Sequence, residues 1–196
     1  MLEYIMAMRP MTFTAAVIPI LVTTAVVNAS FQSEAFIRSM VMGIAVQAGA
    51  NLSNTYFDFK NGVDTKATIT GDKALVDAKL ITSSGVLFVS LLCYAAGLYA
   101  VLPALIAHAS DMRLLWIFCG GVALAFFYTA GPMALKYIAL GDVTIYACFG
   151  PLLMQGTSIM MTGDMDSLLY LYSVPVGLLT EAILHVSHSL AKSTVC

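Results

Sequence analysis

Charge is scarce in this sequence: Asp, Glu, Lys and Arg make up 10% of its 196 residues, against about 25% in an ordinary soluble domain. Water is therefore not its main solvent. Only four cysteines occur, Cys93, Cys119, Cys148 and Cys196, and none lies in a CxxC or Cys/His cluster, which argues against a disulfide framework and a zinc site. They read as buried thiols. The net charge of −2 is too small for a nucleic-acid partner or a polybasic membrane patch. Internal repeats and low-complexity tracts are absent, and no aspartate or glutamate follows Glu181.

What the sequence has instead is apolar length. Hydrophobic residues make up 60% of it, and six stretches, near 11–28, 36–57, 82–107, 113–131, 137–161 and 167–187, approach the roughly 20 apolar residues that a helix needs to cross a bilayer. The expected fold class is all-α integral membrane, with six transmembrane helices and no room for a soluble domain. The first stretch follows the basic Arg9 in the manner of a signal peptide, but it lacks a small-residue cleavage site and five more stretches come after it. It reads as the first span. With six spans, Arg9, Lys60, Lys66, Lys73, Lys79, Lys136 and Lys192 share one side, and Arg38 and Arg113 the other. The positive-inside rule makes the lysine-rich side cytosolic.

Polar residues inside the second stretch are not scattered. Gln47, Asn51, Asn54 and Asp58 are four, three and four residues apart, so on a helix they fall within roughly 60° of one another. Unsatisfied polar groups in hydrocarbon cost several kcal/mol, so this stripe must face the bundle interior or a water-filled cavity. Interhelical hydrogen bonding would account for Gln47 and Asn51. Asp58, followed by Gly62 in an expected turn and by Asp64, adds two carboxylates at the mouth of one cavity. Hard oxygen ligands of this kind suit Mg²⁺, which uses one or two carboxylates together with waters and substrate phosphates. Lys60, Lys66 and Lys73 stand near enough in sequence to neutralise a diphosphate, although a solvated loop of mixed charge would hold the same lysines. The polar stretch from Asp58 to Lys79 is also the longest connection, and loops of that length are often functional.

The run NLSNTYFDFKNGVD, with Asn51, Asn54, Asp58, Gly62 and Asp64, resembles the first aspartate-rich motif of the UbiA-type prenyltransferases. Arg9, Pro10, Thr12, Phe13 and Pro19 resemble the family's opening helix, and Asp72 to Asp77 the segment after the motif. Tyr128, Thr129 and Gly131, with Lys136, Leu140, Gly141 and Asp142, resemble the link between helices 4 and 5, and Thr180, Glu181 and His185 resemble helix 6. The resemblance implies a partial UbiA domain over 1–185, the first six helices of a nine-helix bundle, and a divergent tail over 186–196. It implies transfer of an isoprenyl chain of geranylgeranyl type from its diphosphate to an aromatic naphthoquinone or quinone precursor, in menaquinone (vitamin K2) and also ubiquinone synthesis. Asn54, Asp58 and Asp64 would hold Mg²⁺ as a half-site, Asp58 and Asp64 being catalytic. Asn51, Asn54, Lys66, Lys73, Tyr128 and Lys136 would contact substrate. The implied partners are isoprenyl diphosphate, the aromatic acceptor, the lipid bilayer and a full-length homologue or sterol-pathway enzymes. The membrane would be that of the endoplasmic reticulum, Golgi or mitochondrion.

After His185 the likeness stops where a second aspartate motif is expected. Glu181, His185 and His188 share a face; an interfacial histidine pair is the default reading, and a substitute metal site, for which a glutamate and two histidines have the right chemistry, is the lesser alternative. The break leads us to expect a truncated isoform, a partial gene model or a frame shift, and an isolated chain without activity. The competing readings are a non-catalytic membrane partner that binds prenyl diphosphate and a small transporter whose stripe lines an ion path.

Overall fold

The computed structural model describes residues 2–60, 82–109, 111–130, 135 and 140–193, with side chains described up to 182. Among these residues every regular element is helical. A short helix α1 (Leu2–Ala7) leads into a 3₁₀ turn (Pro10–Phe13) and α2 (Thr14–Val26). Helices α3 (Glu34–Lys60), α4 (Ser83–Ala107) and α5 (Arg113–Phe127) follow. Helix α6 (Gly141–Thr162) widens to a π-helical turn over Cys148–Leu152, and α7 (Leu168–Ser193) closes the series.

Each of the six apolar stretches is thus helical, but they differ in reach. Helices α3, α4 and α6, of 27, 25 and 22 residues, are long and apolar enough to cross a membrane, whereas Pro10–Val26, Arg113–Phe127 and Leu168–Ala182 are apolar but shorter. Arg9 explains part of the first shortfall. It adopts a left-handed conformation at φ 53°, uncommon without glycine, and Pro10 then starts a separate turn, so α1 is split from α2 rather than continuous with it. The outward faces carry exposed Phe88, Tyr99, Ile106, Trp116, Leu171 and Leu179. Such surfaces are solvated by lipid, and the protein is a membrane protein. Cys119 lies on such a face rather than in the interior expected of it, while Cys93 and Cys148 are half-buried thiols.

Without a hydrophobic drive between helices in lipid, close packing depends on small residues and shared hydroxyls. Helices α3 and α4 show this. A Cβ on Gly49 would stand 3.1 Å from the Tyr94 ring and 3.2 Å from the Ser90 carbonyl oxygen. The Ser90 hydroxyl donates to the Gly49 carbonyl at 2.8 Å, and Ser53 and Ser90 share a second hydrogen bond of 2.8 Å. Several hydroxyls elsewhere in the helices are satisfied by the preceding turn, as when Thr24 donates to Ile20, Ser39 to Ala35 and Thr55 to Asn51. In α6, Pro151 lacks the N–H that an α-helical turn would use, and the widened turn brings Gly150 against α7. A Cβ there would meet the Ser173 carbonyl oxygen at 2.9 Å, and one on Gly177 would meet the Tyr146 ring at 2.7 Å. Met154, Leu169 and Val176 then form a cluster covered by Val22 and Val26 of α2.

The α4–α5 and α6–α7 turns meet at one end of the bundle. Arg113 bridges them, 2.6 Å from Asp111 and 2.9 Å from Asp164. Gly163 takes φ 83° with the His108 ring 2.7 Å from where a Cβ would sit, which restricts this position to glycine. Gln155 closes the second turn by accepting from the Asp166 N–H and donating to its carbonyl.

Two outcomes follow from this packing. Gly177→Val forces the Tyr146 ring and backbone apart, and thermal unfolding in detergent is expected to show a loss of about 1–3 kcal/mol. Asp111 is held below its usual 3.8 by the Arg113 hydrogen bond, and Asp164 by the Met165 N–H and then by Arg113. Both carboxyls are depressed in the folded state, so their stabilisation is present above the unfolded value and is lost as pH falls through the lowered one. Melting temperature is expected to fall below about pH 4, with a smaller fall in Arg113→Gln.

Candidate functional site

The polar stripe of α3 lies inside the bundle. Gln47, Asn51 and Asp58 are 6%, 5% and 4% exposed, and Asn54 is half-buried. Its lower half is held by the N-terminal arm. Asn51 donates one amide hydrogen to the Met8 carbonyl at 2.7 Å and the other to the Thr12 hydroxyl at 2.9 Å. Gln47 donates to the same hydroxyl at 3.2 Å, and Thr12 in turn donates to the Arg9 carbonyl at 2.9 Å. One hydroxyl thus uses its single donor and both acceptor positions. These contacts account for Gln47 as interhelical bonding, and they commit the Asn51 amide nitrogen to fixing the arm.

The upper half opens at the opposite end from the Arg113 bridge. Asn54 accepts a hydrogen bond from Thr129, which is completely buried just beyond α5. Phe57 and Phe126 stack edge to face beside it, with ring centroids 5.2 Å apart. Asp58, one turn after Asn54, is in the last turn of α3 and engaged by a partner. Tyr128, partly buried, feels the charges of Asp142, Asp58 and Arg9, so four elements of the chain place polar groups at one end of the bundle. Lys60 lies outside this group, its ammonium 5.9 Å from the Tyr56 ring centroid.

Of the residues expected at the site, Asn51, Asn54, Asp58 and Tyr128 are brought to one region. Asp64, Lys66, Lys73 and Lys136 lie outside the described residues, as do the side chains of His185 and His188. Among the described residues no group of three His, Cys, Asp or Glu stands close enough to hold a metal ion. The donors that are described, a carboxylate and an amide oxygen one helical turn apart, still fit Mg²⁺, which completes its octahedron with water and phosphate oxygens. Arg9, Thr12 and Asp142, which spacing did not mark as site residues although the family resemblance includes them, also enter the region. The family resemblance, and their polar character at the ends of apolar stretches, were the available signals.

The arm makes a direct test accessible. Asn51→Leu removes two donors and leaves buried acceptors unmatched, so a loss of about 1–3 kcal/mol and faster amide hydrogen exchange over residues 4–13 are expected.

The profile of the UbiA prenyltransferase family matches residues 16–192, a span that contains all of the described site except the N-terminal arm. The chain is 36% identical over 194 residues to UbiA prenyltransferase domain-containing protein 1 of Gallus gallus, covering 95% of this chain and 56% of that protein. The Homo sapiens protein of the same name is 34% identical over 195 residues, 95% of this chain and 55% of its own length. That of Dictyostelium discoideum is 34% identical over 194 residues, 94% and 58%. The chain therefore spans a little over half the length of these relatives. With the family profile matched along most of its length, this all-helical membrane chain belongs to the UbiA prenyltransferase family.

Proposed function

We propose that the Asn54–Asp58 end of the bundle binds an isoprenyl diphosphate with Mg²⁺, and that the reaction served is transfer of a geranylgeranyl-type chain to an aromatic naphthoquinone precursor on the way to menaquinone. The observation that carries this reading is the inward-facing pair Asn54 and Asp58. A carboxylate 4% exposed at the end of an apolar helix is a hard oxygen ligand in a site of low dielectric, where its attraction for a divalent cation is strong, and an amide oxygen one turn away adds a second hard ligand. Family membership supplies the transfer chemistry and isoprenyl diphosphate with an aromatic acceptor as the substrate class.

In this reading the allylic C–O bond breaks with its electron pair leaving on the diphosphate. An aromatic carbon of the acceptor forms the new C–C bond and loses its proton. Mg²⁺, when bound, supplies Lewis-acid stabilisation of the negative charge that develops on the leaving group. Asp58 and Asn54 are the chain's own ligands for it, joined by Asp64. Arg9 and Tyr128 border the same end, where a cation and a phenol stabilise phosphate oxygens by charge and hydrogen bonding. The isoprenyl tail lies in the apolar interior or in lipid, and no side chain acts as nucleophile. The site end, with the N-terminus and Lys60, is assigned to the cytosol by the distribution of lysines.

Microsomes containing the chain and, separately, a form extended to the length of its relatives, supplied with radiolabelled geranylgeranyl diphosphate, a reduced naphthoquinone and Mg²⁺, provide the test. Asp58→Asn and Asp64→Asn are each expected to reduce product by roughly a hundredfold, and chelation of Mg²⁺ to abolish it. Product that persists in both variants would sink the proposal.

A further inference from the structure

The contact between Asn54 and Thr129 reaches beyond packing. Thr129 is completely buried and donates its hydroxyl hydrogen to Asn54 Oδ1. Asn54 is three residues before Phe57, and Thr129 three after Phe126, whose rings meet at 5.2 Å. The two pairs therefore tie the C-terminal part of α3 to the end of α5 and the residues just after it, the aromatic pair setting how the two segments meet and the polar pair setting an orientation. An asparagine amide rotates about χ2 in a broad, two-fold well, and its oxygen and nitrogen ends have opposite chemistry. Nothing in the length of the side chain decides which end faces the Asp58 carboxylate.

We infer that Thr129 is a positioning residue that fixes the Asn54 amide for binding of Mg²⁺–diphosphate. Its hydroxyl occupies one lone pair of Oδ1, locks the plane of the amide and leaves the second lone pair in a set direction one helical turn from Asp58. A half-buried amide that must serve as ligand loses orientational freedom before the ligand arrives, so less is lost on binding. Partners of this kind, which hold a metal ligand without touching the metal, typically matter 10- to 100-fold in affinity. The inference rests on the diphosphate reading above.

The test is Mg²⁺-dependent binding of radiolabelled geranylgeranyl diphosphate to the purified chain in nanodiscs. Thr129→Val is expected to weaken binding in Mg²⁺ by about tenfold or more, Thr129→Ser to retain most of the affinity, and binding in chelator to be the same in all three proteins. Because both changes act through one amide, Thr129→Val added to Asn54→Ala is expected to cost nothing further. Thr129→Ala, which removes the hydroxyl with less steric change, gives the same comparison should the valine variant unfold. Affinity unchanged in Thr129→Val or Thr129→Ala overturns the inference, as does a serine variant as weak as the valine one, or losses at 54 and 129 that multiply independently. A wild-type chain that binds no diphosphate in Mg²⁺ overturns the functional reading itself, and the positioning role with it.

Discussion

Moving an amide or a carboxylate from water into hydrocarbon without a partner costs several kcal/mol, and α3 carries four such residues on one face: Gln47, Asn51, Asn54 and Asp58. That face cannot meet lipid, so the remaining architecture is arranged around it. The N-terminal arm covers its first half through Thr12 and Met8, and Thr129 reaches its second half from α5. The opposite side of α3 is free of this constraint and packs on α4 through Gly49, Ser53 and Ser90. One desolvation penalty thus sets which helix is central and which faces of its neighbours turn inward.

The two ends of the bundle answer different demands. At one end, Arg38 pairs with Glu34 within α3, Arg113 bridges two turns, and Gln155 seals the second of them. These groups are mutually satisfied by short contacts along and between neighbouring turns. At the other end, Arg9, Asp58, Tyr128 and Asp142 converge from distant parts of the chain, and Arg9 is the one left-handed residue between the short helix and the turn of its arm. Converging charge is a feature that binding sites accumulate; left-handed backbone does not set the ends apart, since Asn28 just beyond α2 also takes φ 53°. The chain belongs to the UbiA prenyltransferase family, and the end at which these groups converge is the one proposed above to bind diphosphate.

Much of the helical layout was legible from residue order because lipid imposes length and hydrophobicity on any spanning helix. Helices α3, α4 and α6 match the apolar stretches at 36–57, 82–107 and 137–161 within a few residues. Less legible were the breaks: α1 as a separate helix, the left-handed Arg9 and the π turn at Pro151. Each depends on backbone hydrogen bonds that composition does not encode. Cys119 was read as buried because it sits in an apolar stretch, but an apolar stretch in a membrane has a lipid face as well as an interior one, and only packing against α6 and α3 distinguishes them.

The periodicity of Gln47, Asn51, Asn54 and Asp58 by itself determined that α3 carries an inward polar face, since a helix of 3.6 residues per turn brings those four positions together whatever surrounds them. Composition and the length of the apolar stretches determined likewise that the chain is helical and membrane-embedded. The division of labour along that face was decided only by tertiary structure. Asn51 lies one turn from Asn54 and has the same neighbours in composition, yet Met8 and Thr12 take its amide hydrogens while Thr129 takes the Asn54 oxygen. The partners are 39 to 75 residues away in sequence. Side-chain hydrogen bonds are short-ranged and directional, so which amide anchors an arm and which is left facing a carboxylate follows from the folded positions of α1 and α5, not from the spacing on α3.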